Sequence, residues 1–348
     1  MSYRLMKIAT LICVLLPAVS CKSGNMGIKE DNAVSCTRDV FAMDTYMNLT
    51  AYGSNAEKAL DDAERRILQL ESELSATSET SEIWKLDHSN GEAIELKSDT
   101  AELIGKALDM CEKTCGCLDI TIYPVLKEWG FTTGDYKIPE QSRISELLKN
   151  VGYSKVKIED KSVNMPEGTE IDLGAVAKGY TGDEVLEIIR SYDVQSAIVN
   201  LGGNVQTLGK KPDGSEWKVA VRDPFHPETD MCVLEIDDSA VITSGNYERF
   251  FIGDDGKRYC HIIDPADGCP ADNGFVSVTV IGKSGIVCDA LSTAVFVAGT
   301  ERSNEIISEY SDYDFIVVSD DEKIHYTQGI SDSFKNISSM PAEVIAFD

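Results

Sequence analysis

The chain of 348 residues is long enough to bury a sizeable core as one large domain or two ordinary ones, and its apolar content of 43% is typical of a globular protein. Its formal charge of −27 comes from 59 acidic and 32 basic residues, and it excludes nucleic acid as a ligand because such binding depends on Lys and Arg at the phosphates. An anionic small ligand would need local positive charge or a metal ion.

Residues 1–20 have the pattern of a bacterial signal peptide. Arg4 and Lys7 precede an apolar run that is too short to span a bilayer, and small residues then lead to Cys21. This resembles a lipobox, which predicts cleavage before Cys21, lipid attachment to it and a place on a membrane of the cell envelope, on the extracytoplasmic side. An ordinary signal peptide with an incidental cysteine is the alternative. Residues 21–36 are then a lipidated tether, and 37–345 form the folded domain.

Eight of the 10 cysteines lie beyond Cys13 and Cys21. The closely spaced Cys111, Cys115 and Cys117 could suggest zinc, but no matching Cys/His cluster follows them. Thiols at a helix end or one disulfide are the preferred interpretation, and the spacing gives no pairing.

The first half of the chain predicts alternating strands and helices. Residues 41–52 alternate as one strand, and Ser54 with Glu57 forms a capping box that opens an amphipathic helix. A polar loop over 75–90 and a helix over 99–113 follow. In the next segment, residues 117–131, Asp119 stands among apolar residues, where burial would cost several kcal/mol unless its carboxylate is hydrogen-bonded. Core packing with one stray carboxylate is the alternative to a site.

Residues 171–203 are the centre of the predicted site. They read as strand end, glycine turn, helix, buried strand and second glycine turn, which places backbone amides around one cleft. A phosphate fits the amides at such a helix N-terminus, with Lys178 close by and Asp172 free to accept a hydrogen bond. A tight turn with a solvated lysine is equally consistent with this stretch.

Two later segments carry further candidates. His261 lies on a predicted strand over 258–265, where it could be catalytic or structural. On a predicted helix over 286–299, Asp289 and Thr293 stand four residues apart with Ser292 beside them. Their oxygens suit a hard cation such as Mg²⁺ or Ca²⁺, and a helix-terminal carboxylate with a hydroxyl bonded back to the backbone is the alternative.

Taken together, seven motifs in order resemble the ApbE-type FAD:protein FMN transferases over roughly residues 37–330. They are Met43-Asp-Thr45, Leu118-Asp-Ile with Trp129-Gly-Phe, the run from Asp172 to Tyr180, Val199-Asn-Leu-Gly-Gly203, Thr243-Ser-Gly-Asn-Tyr, His261-Ile-Ile-Asp-Pro and Asp289-Ala-Leu-Ser-Thr293.

The resemblance implies an α+β, T-fold-related protein whose mixed, mainly antiparallel sheets pack with helices around a central FAD cleft. It implies Mg²⁺-dependent transfer of FMN from FAD to a Thr or Ser hydroxyl of an exported membrane redox protein, with AMP released. FAD hydrolysis and flavin binding without turnover are the alternatives. His261 and Asp289 would be catalytic. By matching position the FAD contacts would be Met43, Leu118, Asp119, Ile120, Asp172, Lys178 and Ile263, and the metal ligands Ala175, Asp289, Ser292 and Thr293.

Two positions depart from the family pattern. Asp44 stands where the usual motif has glycine, and no aromatic residue is present near Thr77 and Ser78, where some relatives carry one that can stack on the flavin.

Overall fold

The computed structural model describes residues 34–345. The predicted signal peptide, Cys21 and nearly all of the tether lie outside the described residues.

Helices and strands alternate irregularly along the chain. The helices are α1 (Ala56–Leu74), α2 (Glu82–Asp87), α3 (Ser98–Lys113), α4 (Tyr123–Trp129), α5 (Gln141–Leu147), α6 (Ala177–Ser191) and α7 (Gly285–Glu309). The strands are β1 (Ser35–Ala42), β2 (Thr45–Tyr52), β3 (Ile94–Glu95), β4 (Lys157–Glu159), β5 (Ser162–Asn164), β6 (Ser196–Leu201), β7 (Asn204–Leu208), β8 (Trp217–Arg222), β9 (Asp230–Ile236), β10 (Ala240–Gly245), β11 (Phe250–Ile252), β12 (Arg258–Cys260), β13 (Phe275–Gly282), β14 (Asp314–Ser319), β15 (Ile324–Tyr326), β16 (Phe334–Asn336) and β17 (Ala342–Val344).

One nine-stranded sheet forms the centre, in the order β1-β2-β6-β7-β10-β13-β14-β15-β17. Its neighbours are antiparallel except β15 and β17, which are parallel. Three small sheets, β16-β9-β8, β3-β5-β4 and β11-β12, complete the strand structure of the described residues. The predicted α+β class with mainly antiparallel sheets is confirmed.

The two faces of the large sheet are covered differently. On β10 and β13, Ile242 and Val280 face a core shared with α3 and α7, while their neighbours Val241 and Ile281 face β8 and β9. This alternation follows from the two-residue period of a strand. Helices α1 and α6 pack side by side against β1, β2 and β6 on the helical face. The neighbouring helix α7 therefore runs along α6 over the middle of the sheet.

The single strand predicted over 41–52 is wrong, because the segment is a hairpin of β1 and β2. Met43 and Asp44 form its two-residue turn with φ values of 50° and 57°. Such turns usually use Asn or Gly, and Asp is among the residues that tolerate this left-handed conformation. The aspartate in place of the family's glycine is thus compatible with the turn.

Two predictions about the segments around α1 and α2 also need correction. No capping box forms at Ser54, since α1 begins after Asn55 and has no side-chain cap. The loop predicted over 75–90 contains the short helix α2, whose N-cap Ser81 accepts a hydrogen bond from the amide of Trp84.

Helix α7 carries the predicted glycine break. Gly299 interrupts it with φ 61° and ψ −162°, so the helical part that bears Asp289 ends there, as the sequence predicted. Between residues 34 and 345, no helix combines the length and apolar character needed to cross a membrane.

Candidate functional site

The site is built where α6 crosses α7 with almost no side chain between them. A Cβ at Gly179 would overlap the Gly285 carbonyl group and come within 2.8 Å of the Asp289 Cβ. The Gln206 amide fills the remaining space and donates to the Gly179 carbonyl at 2.9 Å. Glycine at 179 is therefore required by the close approach of the two helices.

Asp183 fixes the same crossing from the other side. Its carboxylate accepts hydrogen bonds from the amides of Gly285 at 2.6 Å and Ile286 at 3.1 Å, and from the Ser284 hydroxyl at 3.2 Å. It thus caps the N-terminus of α7 from the middle of α6, although the amphipathic pattern of α6 gives no sign of this role.

Asp289 lies buried at the crossing, with only 4% of its surface exposed. Its Oδ2 accepts a hydrogen bond from the Gly179 amide at 2.8 Å. Burial raises the pKa of this carboxyl, while the Lys178 charge, the Gly179 amide and the Asn204 side chain oppose the rise. A cation beside the carboxylate would offset the same cost of burial.

The oxygens around Asp289 fit a hard cation. Gly179 donates its amide to Asp289 rather than to the Ala175 carbonyl four residues earlier, which leaves that oxygen available to another partner. Carboxylate, carbonyl and hydroxyl oxygens are the ligands that Mg²⁺ takes in proteins. Among residues 34–345 no group of three or more His, Cys, Asp or Glu could hold a metal ion, so a cation here would rely on one carboxylate and neutral oxygens.

The hydroxyls on α7 differ in availability. Ser292 is fully buried and donates to the Asp289 carbonyl at 2.9 Å, and its oxygen lies 2.8 Å from the Ser244 hydroxyl. Thr293 Oγ1 lies 3.2 Å from the same Ser244 hydroxyl and is only half-buried. Thr293 is therefore better placed than Ser292 to bind a ligand. Ser244 was not predicted as a site residue, although it belongs to the motif Thr243-Ser-Gly-Asn-Tyr.

The segment before α6 holds the second carboxylate. Asp172 Oδ1 accepts from the Gly174 amide at 2.9 Å, and the Asp172 amide donates to the Ile120 carbonyl at 2.8 Å. Desolvation raises the pKa of the Asp172 carboxyl, opposed by the Gly174 amide and by the charges of Lys178 and Arg249. The backbone contact brings the segment after Leu118 against the segment before α6.

The structure corrects two details of this segment. No strand precedes Gly174, and α6 begins at Ala177. The amides of Val176 and Ala177 both donate to the Leu173 carbonyl, and that of Gly179 donates to Asp289. These three amides are thus already used within the described residues.

Lys178 is the cation that connects the site. Its charge opposes the raised pKa of the Asp289 and Asp172 carboxyls and adds to the lowering of the pKa of His261. The side chain is half-buried and is absent from the ion pairs formed within residues 34–345. It is therefore free to meet an anionic ligand.

His261 lies where β12 ends. Its Nδ1 is 3.2 Å from the Arg249 carbonyl oxygen, which can only accept a hydrogen bond, so Nδ1 carries the proton and Nε2 keeps a lone pair. Desolvation lowers the pKa of this half-buried ring to about 4, with the Arg249 and Lys178 charges acting in the same direction. His261 is thus a neutral base at pH 7.

Four other residues predicted to contact FAD are buried in the fold or use their side chains in hydrogen bonds within it. Asp119 accepts from the Thr121 amide and hydroxyl at 2.8 and 2.6 Å and from the Tyr153 amide at 2.9 Å, which offsets its burial. Leu118, Ile120 and Ile263 are at most 5% exposed. These four residues would touch a ligand mainly through their backbone.

Met43 connects the hairpin turn to the site. Its amide donates to Glu71 at 2.8 Å, and its sulfur lies 3.8 Å from the Thr181 hydroxyl on α6. The Tyr123 hydroxyl lies 3.5 Å from the Ala76 carbonyl, so one aromatic ring reaches the loop near Thr77 and Ser78.

The eight cysteines of the described part of the chain are free thiols. The disulfide considered for Cys111, Cys115 and Cys117 is therefore not formed. The three thiols lie at the end of α3 and just after it, as the interpretation of thiols at a helix end predicted.

The fold and the site define an α+β protein whose candidate site contains Lys178, the buried Asp289, the half-buried Asp172 and the neutral His261. Residues 43–317 match the profile of the ApbE family, and the chain belongs to this family.

Relatives of known name cover nearly the whole chain. The FAD:protein FMN transferase of Treponema pallidum (strain Nichols) is 30% identical, and the alignment covers 94% of each chain. The protein of the same name from Haemophilus influenzae is 26% identical over 84% of this chain and 87% of its own.

Solved structures show the same architecture. The ApbE protein of Thermotoga maritima superposes with a TM-score of 0.80 at 30% identity, over 85% of this chain and 98% of that one. The flavinyl transferase ApbE of Pseudomonas stutzeri gives 0.74 at 27% identity, over 84% and 93%.

Proposed function

We propose that this chain transfers FMN from FAD to a Thr or Ser hydroxyl of an acceptor protein and releases AMP. The observation that carries the proposal is the buried Asp289 carboxylate on α7, which accepts the amide of Gly179 directly after Lys178, a lysine that forms no ion pair among residues 34–345. Phosphoryl transfer needs charge neutralisation and positioning more than covalent help from the protein. The names of the relatives support the same reaction.

Each side chain has a distinct part in this reaction. Lys178 offsets the negative charge of the dinucleotide pyrophosphate in a chain of net charge −27. His261 Nε2 takes the proton from the acceptor hydroxyl, whose oxygen attacks the phosphorus on the FMN side of FAD. The bond from that phosphorus to the bridging oxygen breaks, and AMP leaves with the electron pair.

Asp289, Thr293 and the Ala175 carbonyl would hold Mg²⁺, with Ser292 supporting them through Ser244. The ion would supply further charge neutralisation at the pyrophosphate. This donor set has a single negative charge, so we expect the ion to bind more tightly when FAD phosphate oxygens complete its coordination.

Transfer, hydrolysis and binding without turnover give different products. We expect FAD, Mg²⁺ and an acceptor domain bearing its target threonine to yield AMP and a heavier acceptor. Free FMN with an unchanged acceptor would show FAD hydrolysis instead. Unchanged FAD would leave only binding and would overturn the proposed reaction. Mass spectrometry of the protein and nucleotide products separates the three.

We also propose that Cys21 anchors the protein to a membrane of the bacterial envelope by a lipid, so that its acceptors are exported membrane redox proteins. A Cys21→Ser variant should lose incorporation of labelled palmitate and appear in the soluble fraction. Equal membrane retention of the parent and the variant would contradict the anchor.

A further inference from the structure

A group of exposed apolar side chains lies beside His261, on and around the hairpin of β11 and β12. Phe250 and Ile252 on β11 are 37% and 57% exposed, and Tyr136 and Ile138 from the loop after α4 are 44% and 48% exposed. We call these four residues the hairpin patch; Phe250 and Ile252 point to the face of β11 opposite Phe251, on which Tyr136 stacks, so the patch flanks the strand on both faces. Ile138 lies close to the hairpin, since a Cβ at Gly253 would come within 3.0 Å of its Cδ1.

The hairpin patch stands on a rigid base that reaches the candidate catalytic histidine. Phe251 stacks on Tyr136 and Tyr259 at ring distances of 5.2 Å, and it lies 5.8 Å from Phe131. Phe131 in turn lies edge-on to the His261 ring at 6.4 Å. The exposure of the patch therefore does not reflect a loosely packed loop.

The outer edge of β11 is open. Sheet β11-β12 has only two strands. The His261 amide donates to the Arg249 carbonyl at one end of the pair, and the Gly253 amide donates to the Lys257 carbonyl at the other. The backbone groups of an antiparallel strand point alternately toward and away from the partner strand. By this alternation, those of Phe250 and Ile252 point away from β12. An exposed strand edge with apolar side chains is a template for adding another strand.

The hairpin also carries cations without carboxylate partners. Arg249, Lys257 and Arg258 are exposed and take part in none of the ion pairs of the described chain, and the Arg258 guanidinium lies 4.4 Å from the centre of the Phe250 ring. Asp254 and Asp255 lie at the turn, where Asp255 accepts from the Tyr259 hydroxyl and the Lys257 amide, so the three cations outnumber two carboxylates. In a chain of net charge −27, such a group favours a partner segment that carries carboxylates.

We propose that the hairpin patch and the open edge of β11 form the docking surface for the acceptor protein, which binds as an extended segment containing apolar and acidic residues. This inference rests on the proposed transfer reaction. The acceptor hydroxyl must reach His261 Nε2, and the His261 ring adjoins the first residue of the open edge through the Arg249 carbonyl. A strand added to β11 brings its hydroxyl to that end.

Ile252→Asp tests the surface, with Ile337→Asp as the matched control because Ile337 is 49% exposed outside the hairpin and the cleft. Binding is measured by fluorescence anisotropy with a labelled acceptor domain whose target threonine is replaced by alanine. We expect Ile252→Asp to weaken binding roughly 10-fold or more and Ile337→Asp to leave it unchanged. FAD binding, followed by flavin fluorescence, should be the same in all three proteins.

The outcomes separate the two proposals. Equal acceptor affinity of parent and Ile252→Asp would overturn the docking surface, as would a parent that does not bind the acceptor. Loss of a dimer in Ile252→Asp with unchanged acceptor affinity would also overturn it, by assigning the patch to self-association. A parent that binds the acceptor through the patch but transfers no FMN would keep the surface and refute the proposed function.

Discussion

Asp289 accepts the Gly179 amide and is also the charged ligand expected for Mg²⁺. Asparagine can still accept that amide through its carbonyl oxygen but has no charge, so it separates the two roles. We expect Asp289→Asn to keep its free energy of unfolding within about 1 kcal/mol of the parent and to raise the Mg²⁺ concentration for half-maximal FAD turnover at least ~10-fold. Urea unfolding and metal titration of the same samples measure both.

Asp289→Ala is the reference that measures the structural role of the Asp289 carboxylate. It leaves the buried Gly179 amide without a partner, which costs about 1–3 kcal/mol. An Asp289→Asn protein that turns over FAD with the parent's metal dependence would contradict the cation site.

His261 gives a prediction about pH. Its pKa of about 4 in the folded chain lies below the unfolded value of 6.5, so the folded state binds fewer protons between these values. Stability from this group is complete above pH 6.5 and is lost as the pH falls toward 4. In His261→Asn, the thermal midpoint should therefore drop less between pH 7.5 and pH 5 than in the parent. Differential scanning calorimetry at the two pH values measures this.

The same histidine should be needed for transfer. Removing a general base costs ~10² to 10⁴ in rate. A folded His261→Asn protein with the parent's transfer rate would assign the histidine a structural role only.

At the scale of elements, the crossing of α6 and α7 holds the site together. Gly179→Ala would place a methyl group against the Gly285 carbonyl and the Asp289 side chain, so we expect a loss of about 1–3 kcal/mol in unfolding free energy and a large loss of FAD turnover. Gly105→Ala is the control, because its methyl group on α3 meets nothing within 4 Å. That change should stabilise the chain by up to ~1 kcal/mol without altering turnover.

Urea unfolding and FAD turnover of the two alanine variants test this account of the crossing. Equal behaviour of Gly179→Ala and Gly105→Ala would mean that close contact between the helices is not needed.

Long periodic elements were predictable from the sequence, and local exceptions were not. Helices α1, α3 and α6 follow their apolar spacing, and Gly299 ends the first part of α7 as expected. The hairpin at Met43 and Asp44 was missed because neither residue is glycine or proline, so the strand alternation continues across the turn.

Residue type alone identified only some of the residues of the candidate site. Asp289, Lys178 and His261 stand out by residue type in unusual surroundings. Asp183 and Gln206 lie on an amphipathic helix and an ordinary strand, and their partners are more than 20 residues away in the chain. Only the fold reveals that they fix the crossing.

At the scale of the whole molecule, the chain is strongly acidic while its cleft is arranged around one lysine. Lys178 and Arg249 both act on the pKa of Asp172 and His261, so the site carries local positive charge toward an anionic dinucleotide. We propose that this site carries out metal-dependent FMN transfer to a protein hydroxyl.

This reaction is tested by the intact mass of an acceptor domain after incubation with the parent protein, FAD and Mg²⁺. We predict that the acceptor gains one FMN group, that AMP appears in equal amount, and that both are abolished by EDTA or by replacing the acceptor's target threonine with alanine. An acceptor of unchanged mass in the presence of Mg²⁺, with FAD either intact or split into free FMN and AMP, would contradict the account.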